Sequence, residues 1–255
     1  MPFHFVNKPA LVAYVTSGDP DLTTTREIVL EVIRAGAAII ELGVPFSDPV
    51  ADGPVIQRAS ERALKHGTSL DQVLKLAAEI REQSQSVGLI IFTYLNPILR
   101  MGLEKFCKIA RFAGVDGVLV TDLPVEEAGT YLAEMRKNDL SPIFLAAPTS
   151  TDERLKRIAH ASSGFVYAVS RTGVTGARKQ MSEDAQSLVR RLRKHTKLPI
   201  AVGFGISTPE QFAAVGKYAD GAVVGSAIVD VIERNRGTEA VSVAEFVKGL
   251  LASGS

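Results

Sequence analysis

Residues 41–54 read Glu-Leu-Gly-Val-Pro-Phe-Ser-Asp-Pro-Val-Ala-Asp-Gly-Pro, and they concentrate the acid–base potential of this chain. Glu41 closes an apolar run, Ala37-Ala38-Ile39-Ile40, so it stands where a buried strand meets a loop. A carboxyl group there loses its water, and burial without a partner raises its pKa. That prepares a group for proton transfer near neutral pH. Alternation along a strand puts Glu41 on the side of Ile39, opposite Ile40 and Leu42. If Ile39 faces the interior of a closed sheet, Glu41 points inward at its mouth. The alternative is a structural glutamate paired with an arginine. A second acid is harder to single out. Asp52 precedes Gly53-Pro54, where it either caps the next helix or serves the site. Asp48 and Asp122 compete for that role. Tyr167 carries a phenol that either meets an interior glutamate or packs in the core.

A frame must bring these groups together. Short runs rich in Val, Ile and aromatics occupy 10–15, 38–42, 88–94, 117–121, 142–146, 165–169, 200–202 and 222–225. They lack polar alternation, as strands covered on both faces do. Helical patterns fill 22–35, 54–66, 70–83, 103–113, 125–138, 152–161, 183–195, 208–217 and 239–252, with a short extra piece at 227–233. Thr208-Pro209 is a capping residue followed by proline at the first helical position. Eight strand–helix units in this order predict an α/β fold, a single (β/α)8 TIM barrel with extra short helices, spanning residues 1–255 as one domain. An open doubly wound sheet is the structural alternative.

In such a barrel the chemistry gathers where strands end. No lysine lies inside or at the upper end of a strand, which disfavours an imine-forming aldolase. His4, His66, His160 and His195 fall in the N-terminal segment or in helices, which disfavours a metal-assisted one. No metal site and no cofactor are expected. Carboxylates, a tyrosine and glycines remain. Gly203, Gly205 and Gly225-Ser226 occupy the loops after strands seven and eight, where barrels often hold phosphate on backbone N–H groups. Ordinary turn use is the alternative for these glycines. The loop 172–176 is placed to close over the same ligand.

The chain has 255 residues and a formal net charge of +1, so no bulk field draws it to nucleic acid or an anionic membrane. No apolar stretch reaches the roughly 18 residues of a membrane span. Residues 1–8 resemble neither a secretory leader nor a transit peptide. Cys107 is the only cysteine, and its helical setting suits a packed core thiol. A cytoplasmic setting is expected.

The 41–54 segment, continued by Val55-Ile56-Gln57-Arg58-Ala59-Ser60, closely resembles the signature of the tryptophan synthase α subunit family. The resemblance extends through Thr16-Ser17-Gly18-Asp19-Pro20, Tyr94-Leu95-Asn96-Pro97 and Thr121-Asp122-Leu123-Pro124-Val125-Glu126-Glu127. It continues in Ser170-Arg171-Thr172-Gly173-Val174-Thr175-Gly176, Gly203-Phe204-Gly205-Ile206-Ser207 and Gly225-Ser226-Ala227-Ile228-Val229. These blocks run in order over almost the whole chain. Each is weak alone; together they are specific.

That resemblance implies a lyase that cleaves indole-3-glycerol phosphate to indole and glyceraldehyde 3-phosphate. It assigns the catalytic acids to Glu41 and Asp52 and a pocket tyrosine to Tyr167. It assigns phosphate binding to Gly176, Gly205, Gly225 and Ser226, and an aromatic pocket to Tyr14, Phe92, Tyr94 and Phe204. Thr175 would meet Asp52 on loop closure. The implied partner is a tryptophan synthase β subunit in an α2β2 assembly, docking on the loop 45–54 and the segment after Tyr94. A stand-alone indole-releasing lyase, a degenerate regulatory barrel and a sugar-phosphate isomerase are the competing readings. Relatives in this family usually carry an N-terminal helix beneath the barrel. Here residues 1–8 precede Pro9 with little helical character, so a less well closed bottom is expected.

Overall fold

The computed structural model describes residues 3, 5, 7–169, 178–203 and 205–252, with the side chains of 178–182 left aside. In chain order the elements are β1 (Ala10–Thr16), α1 (Leu22–Arg34), β2 (Ile39–Gly43), α2 (Pro54–Lys65), α3 (Leu70–Gln83), β3 (Gly88–Thr93), α4 (Leu95–Met101), α5 (Leu103–Phe112) and β4 (Gly117–Val120). A 3-10 turn (Val125–Glu127) leads to α6 (Gly129–Lys137), β5 (Ser141–Ile143), β6 (Leu145–Ala146), α7 (Asp152–Ala161), β7 (Val166–Val169) and α8 (Arg178–Leu192). The chain ends through β8 (Ile200–Gly203), α9 (Pro209–Gly216), β9 (Gly221–Val224), α10 (Ser226–Arg234) and α11 (Glu239–Leu251). Among the described residues no helix is long and apolar enough to cross a membrane.

Every strand pairing is parallel, in the order β5-β4-β3-β2-β1-β9-β8-β7-β6. The two ends of that order, β5 and β6, are halves of one run separated by Phe144. The sheet therefore rolls into a barrel, and the expected fifth strand is its seam. Phe144 turns to the outer layer, edge-on to Tyr131 at 6.4 Å, while its carbonyl still accepts from the Tyr167 N–H at 3.2 Å.

Alternation divides each strand between two apolar layers. One set, including Leu11, Ala13, Ile40, Leu42, Leu89 and Ile91, packs against the helices. The other fills the barrel: Val12, Ile39, Ile90, Leu119, Ile143, Phe165, Ala201 and Val223, drawn from successive staves of the wall. Ile39 does face inward, and Glu41 follows it two residues on.

The expectation of a poorly closed bottom is corrected. Phe3 is buried in the inner layer and meets Phe165 edge-on at 5.6 Å, with Phe5 against the same ring at 5.7 Å. A helix is not needed when two aromatic rings fill the opening. Gly164 makes room: a Cβ there would stand 2.4 Å from the Phe3 ring, and its φ of +81° favours glycine in any case.

Helix boundaries mostly follow the sequence pattern, and the Thr208 cap is present, its hydroxyl accepting from the Gln211 N–H at 3.4 Å. Three differ. The run 125–138 divides into a 3-10 turn and α6, and α8 spans 178–192 rather than 183–195. The helix α4 falls in a stretch to which the sequence pattern assigns no element. Pro97 is tolerated in its first turn, where N–H groups lack intrahelical partners. The exposed Leu95 N–H is instead met by the Asp122 carboxylate at 2.7 Å.

The aromatic floor yields a direct test. Phe3→Ala should lower stability by about 3 kcal/mol in urea unfolding, while folded protein keeps its activity. An unchanged midpoint would show that the ring closes nothing.

Candidate active site

Glu41 sits on β2 between Tyr14 of β1 and Ile90 of β3 in register. Its side chain is fully buried, and among the described residues neither carboxyl oxygen has a hydrogen-bond partner. Among the described residues no arginine pairs with it. Burial alone pushes the Glu41 pKa up from the usual carboxylate range to about 8. At neutral pH the group is mostly protonated: an acid in reserve, able to act as a base once it has given up its proton.

Asp52 belongs to the loop between β2 and α2. It does not cap α2; Gly53 holds that position, without a side-chain bond. The Asp52 carboxylate instead accepts from the Tyr94 hydroxyl at 3.0 Å, and that phenol oxygen accepts from the Ala51 N–H at 3.0 Å. Tyr94 is itself stacked on Phe46 at 4.8 Å. Gln57 reaches back to the carbonyls of Asp52 (2.9 Å) and Pro49 (3.3 Å), tying the loop to the helix it precedes. Burial raises the Asp52 pKa, and the Tyr94 hydrogen bond opposes that rise.

The rival acids are engaged elsewhere. Asp48 is exposed and bonds Ser47 at 2.6 Å, and Asp122 serves α4. Neither lines the cavity that Glu41 and Asp52 share.

That cavity holds about 640 Å³ at the mouth of the barrel. One flank is aromatic and apolar, with Tyr14 edge-on to Phe92 at 5.1 Å and Val55 and Ile56 contributed by the first turn of α2. Leu145, Val169 and Val223 complete the apolar surface. Burial and the neighbouring Asp52 push the Tyr14 phenol well above its usual range. Tyr167 lines the same space, and burial and then the Glu41 carboxyl push its phenol far up. Its hydroxyl comes so close to β8 that a Cβ at Gly203 would stand 2.5 Å away, so only glycine fits that wall position.

Gly203, Gly205, Gly225 and Ser226 line the same cavity, with Gly225 close against Tyr14. Ser226 is the first residue of α10, whose cap position, Gly225, supplies no side chain to the helix N–H groups. A helix start of this kind presents N–H donors and a partial positive charge, which suits an anionic oxygen. An apolar slot, a helix start and two acids share one cavity, a combination that suits an aromatic ring carrying an anionic tail.

Most of the expected site residues meet here: Glu41, Asp52, Tyr14, Phe92, Tyr167, Gly205, Gly225 and Ser226 all line the cavity. Tyr94 does not line it; the phenol stands behind Asp52 and holds it. Thr175, Gly176 and Phe204, like the rest of the loop 170–177, lie outside the described residues. Val55, Ile56, Leu145, Val169 and Val223 were missed. Val223 itself faces inward, Leu145 and Val169 are two residues on from inward positions, and Val55 and Ile56 open the helix after Asp52, so both signals were present.

The family model for the tryptophan synthase alpha chain matches residues 4–251. The chain is 54% identical over 237 residues to the tryptophan synthase alpha chain of Solibacter usitatus, covering 93% of this chain and 88% of that one. It is 47% identical over 241 residues to that of Neisseria meningitidis, covering 94% and 92%. Among solved structures, tryptophan synthase subunit alpha from Legionella pneumophila superposes with a TM-score of 0.88 at 35% identity, covering 96% and 92%. A chain of the tryptophan synthase complex from Pyrococcus furiosus gives a TM-score of 0.88 at 38% identity, covering 96% and 99%.

The buried acid sets a pH signature. The unfolded chain releases the Glu41 proton near 4.5 while the folded chain keeps it to about 8. Stability from this group is thus full below the lower value and is lost as pH rises through the upper one. Glu41→Gln should therefore gain on the order of 2–4 kcal/mol over the parent in urea unfolding at about pH 9, and nothing comparable near pH 4. A pH-independent difference would mean that Glu41 titrates normally.

Proposed function

This chain belongs to the tryptophan synthase alpha chain family, and from that premise we propose that it is the lyase subunit that splits indole-3-glycerol phosphate into indole and glyceraldehyde 3-phosphate. The observation that carries the reading is a fully buried carboxyl without a partner, Glu41, in one cavity with Asp52, an aromatic slot and a helix start.

A retro-aldol cleavage needs a sink for the electrons of the breaking bond. The indole ring becomes that sink once its C3 carries a proton. Glu41, protonated at neutral pH, delivers that proton to C3. The resulting carboxylate then takes the proton of the adjacent glycerol hydroxyl. The carbon–carbon bond breaks, its electrons return to the ring nitrogen through the indolenine, and the hydroxyl carbon leaves as the aldehyde. Glu41 ends protonated again, so the cycle needs no external acid. A pKa of about 8 suits a group that must act both ways near neutral pH. Asp52 accepts the ring N–H and stabilises the positive charge that develops there. Tyr94 keeps that carboxylate aimed into the cavity. The phosphate rests on the N–H groups of Gly205, Gly225 and Ser226, and Gly176 and Thr175 complete the closed site.

As an alpha chain it works with a β subunit in an α2β2 assembly in the cytoplasm. Two large apolar side chains stand exposed on the two segments expected to dock: Val50, 87% exposed beside Asp52, and Leu99, 58% exposed on α4. The same loop that meets the partner carries Asp52, so docking reaches the catalytic acid directly. The relatives are named alpha chains, which favours this reading over a stand-alone lyase.

Incubation of the purified chain with indole-3-glycerol phosphate should release indole slowly alone and faster with a β subunit. Glu41→Gln and Asp52→Asn should each lower kcat by about 100-fold or more. Full turnover by folded Glu41→Gln would refute the assignment, and no indole from the parent in either tube would refute the function.

A further inference from the structure

Outside the lining of the cavity lies a cluster of five charged side chains, from the loop after β1, from α2, from α10 and from the connection that follows α10. Asp19, in the loop after β1, is 1% exposed and accepts from Arg62 Nε at 2.9 Å and from its terminal nitrogen at 2.8 Å. The other terminal nitrogen of Arg62 donates to Glu233 at 2.8 Å. Arg58 grips the same Glu233 with two donors, at 3.1 and 2.8 Å. Arg236 adds a third arm to Asp19 at 3.2 Å. Arg58 and Arg62 sit on α2, Glu233 on α10.

Both helices begin at the cavity. Pro54, Val55 and Ile56 open α2 immediately after Asp52, and Ser226, which also lines the cavity, opens α10. Arg62 stands about 12 Å along α2 from its start, and Glu233 about 10 Å along α10. Each helix is therefore a rod with one end on the ligand and the other in the shared ion cluster. A bidentate guanidinium–carboxylate pair fixes direction as well as distance, and the third bond from the same guanidinium carries that geometry across to α10.

We propose that Arg62 is a positioning residue that sets α10, which holds the substrate phosphate, in register with α2, which follows Asp52. This rests on the function proposed above and adds to it how phosphate binding is made useful at the ring. The phosphate grip pulls the substrate toward α10; only if α10 is fixed relative to Asp52 does that grip present the ring nitrogen to the carboxylate. Binding energy at a remote group is then spent on orientation, and it shows in kcat rather than in KM. Arg62 touches no substrate.

The test compares indole-3-glycerol phosphate with its phosphate-free counterpart, indole-3-glycerol, in the parent, Arg62→Lys and Glu233→Gln. Lysine keeps the charge and the aliphatic stem but cannot bond Asp19 in fork geometry and reach Glu233 together. Glu233, with 27% of its side chain exposed, tolerates the amide and carries the test should Arg62→Lys fold poorly. Thermal unfolding verifies that each variant is folded. On the phosphorylated substrate kcat should fall about 10- to 100-fold with KM within about threefold. On the phosphate-free substrate kcat/KM should stay within about twofold of the parent. Equal losses on both substrates would reduce Arg62 to a structural role, and parent-like rates on both would leave it none; either overturns the proposal. A parent chain that cleaves neither substrate would instead defeat the functional reading on which this one rests.

Discussion

The structure is organised around one costly placement: a carboxyl group, Glu41, fully buried in the barrel wall with no hydrogen-bond partner among the described residues. Left charged, such a group would oppose folding by many kcal/mol; it is tolerated because it keeps its proton. The rest of the fold makes that tolerable. β2 is held on both sides, by β1 and β3, which fixes Glu41 in the wall. Beneath it the inner layer is filled by apolar side chains, with Phe3 and Phe5 closing the lower opening. Above it Glu41 borders the cavity it shares with Asp52.

The two acids differ because their settings differ. Glu41 stands in a rigid strand with nothing to bond, and burial acts unopposed. Asp52 stands in a loop, and the Tyr94 phenol offsets part of the same effect. Two carboxyl groups whose surroundings push them to different degrees give one cavity two acids of different strength. The settings also differ mechanically. Glu41 is fixed by the wall, whereas Asp52 depends on Tyr94, Gln57 and the first turn of α2. The ion cluster at Arg62 belongs with this second set, since it governs where α2 and α10 stand relative to each other.

Much of this was legible in the sequence, for physical reasons. Strands buried on both faces leave unmixed apolar runs, so the eight staves showed themselves. Alternation carried the inward face of β2 from Ile39 to Glu41. What depended on contacts between distant segments was hidden. The α4 helix needs Asp122, 27 residues on, to satisfy its first N–H. Asp52 was ambiguous because Asp-Gly-Pro reads equally well as a cap; the phenol that takes up its carboxylate is 42 residues away. The aromatic floor could not be seen because Phe3 and Phe5 carry no helical pattern and their seat is assembled by strands far along the chain. Arg62 gave no signal in the sequence, since its partners lie 43 and 171 positions away.

The central claim is that Glu41 keeps its proton at neutral pH. It is tested most directly by the carboxyl resonance of Glu41 in chain labelled at the glutamate side-chain carbon, assigned by its loss in Glu41→Gln. Without substrate, that resonance should titrate with a midpoint near 8, far above the ordinary 4.5. A midpoint at the ordinary value would show that the carboxyl is charged at neutral pH, and the account of the site would then be wrong.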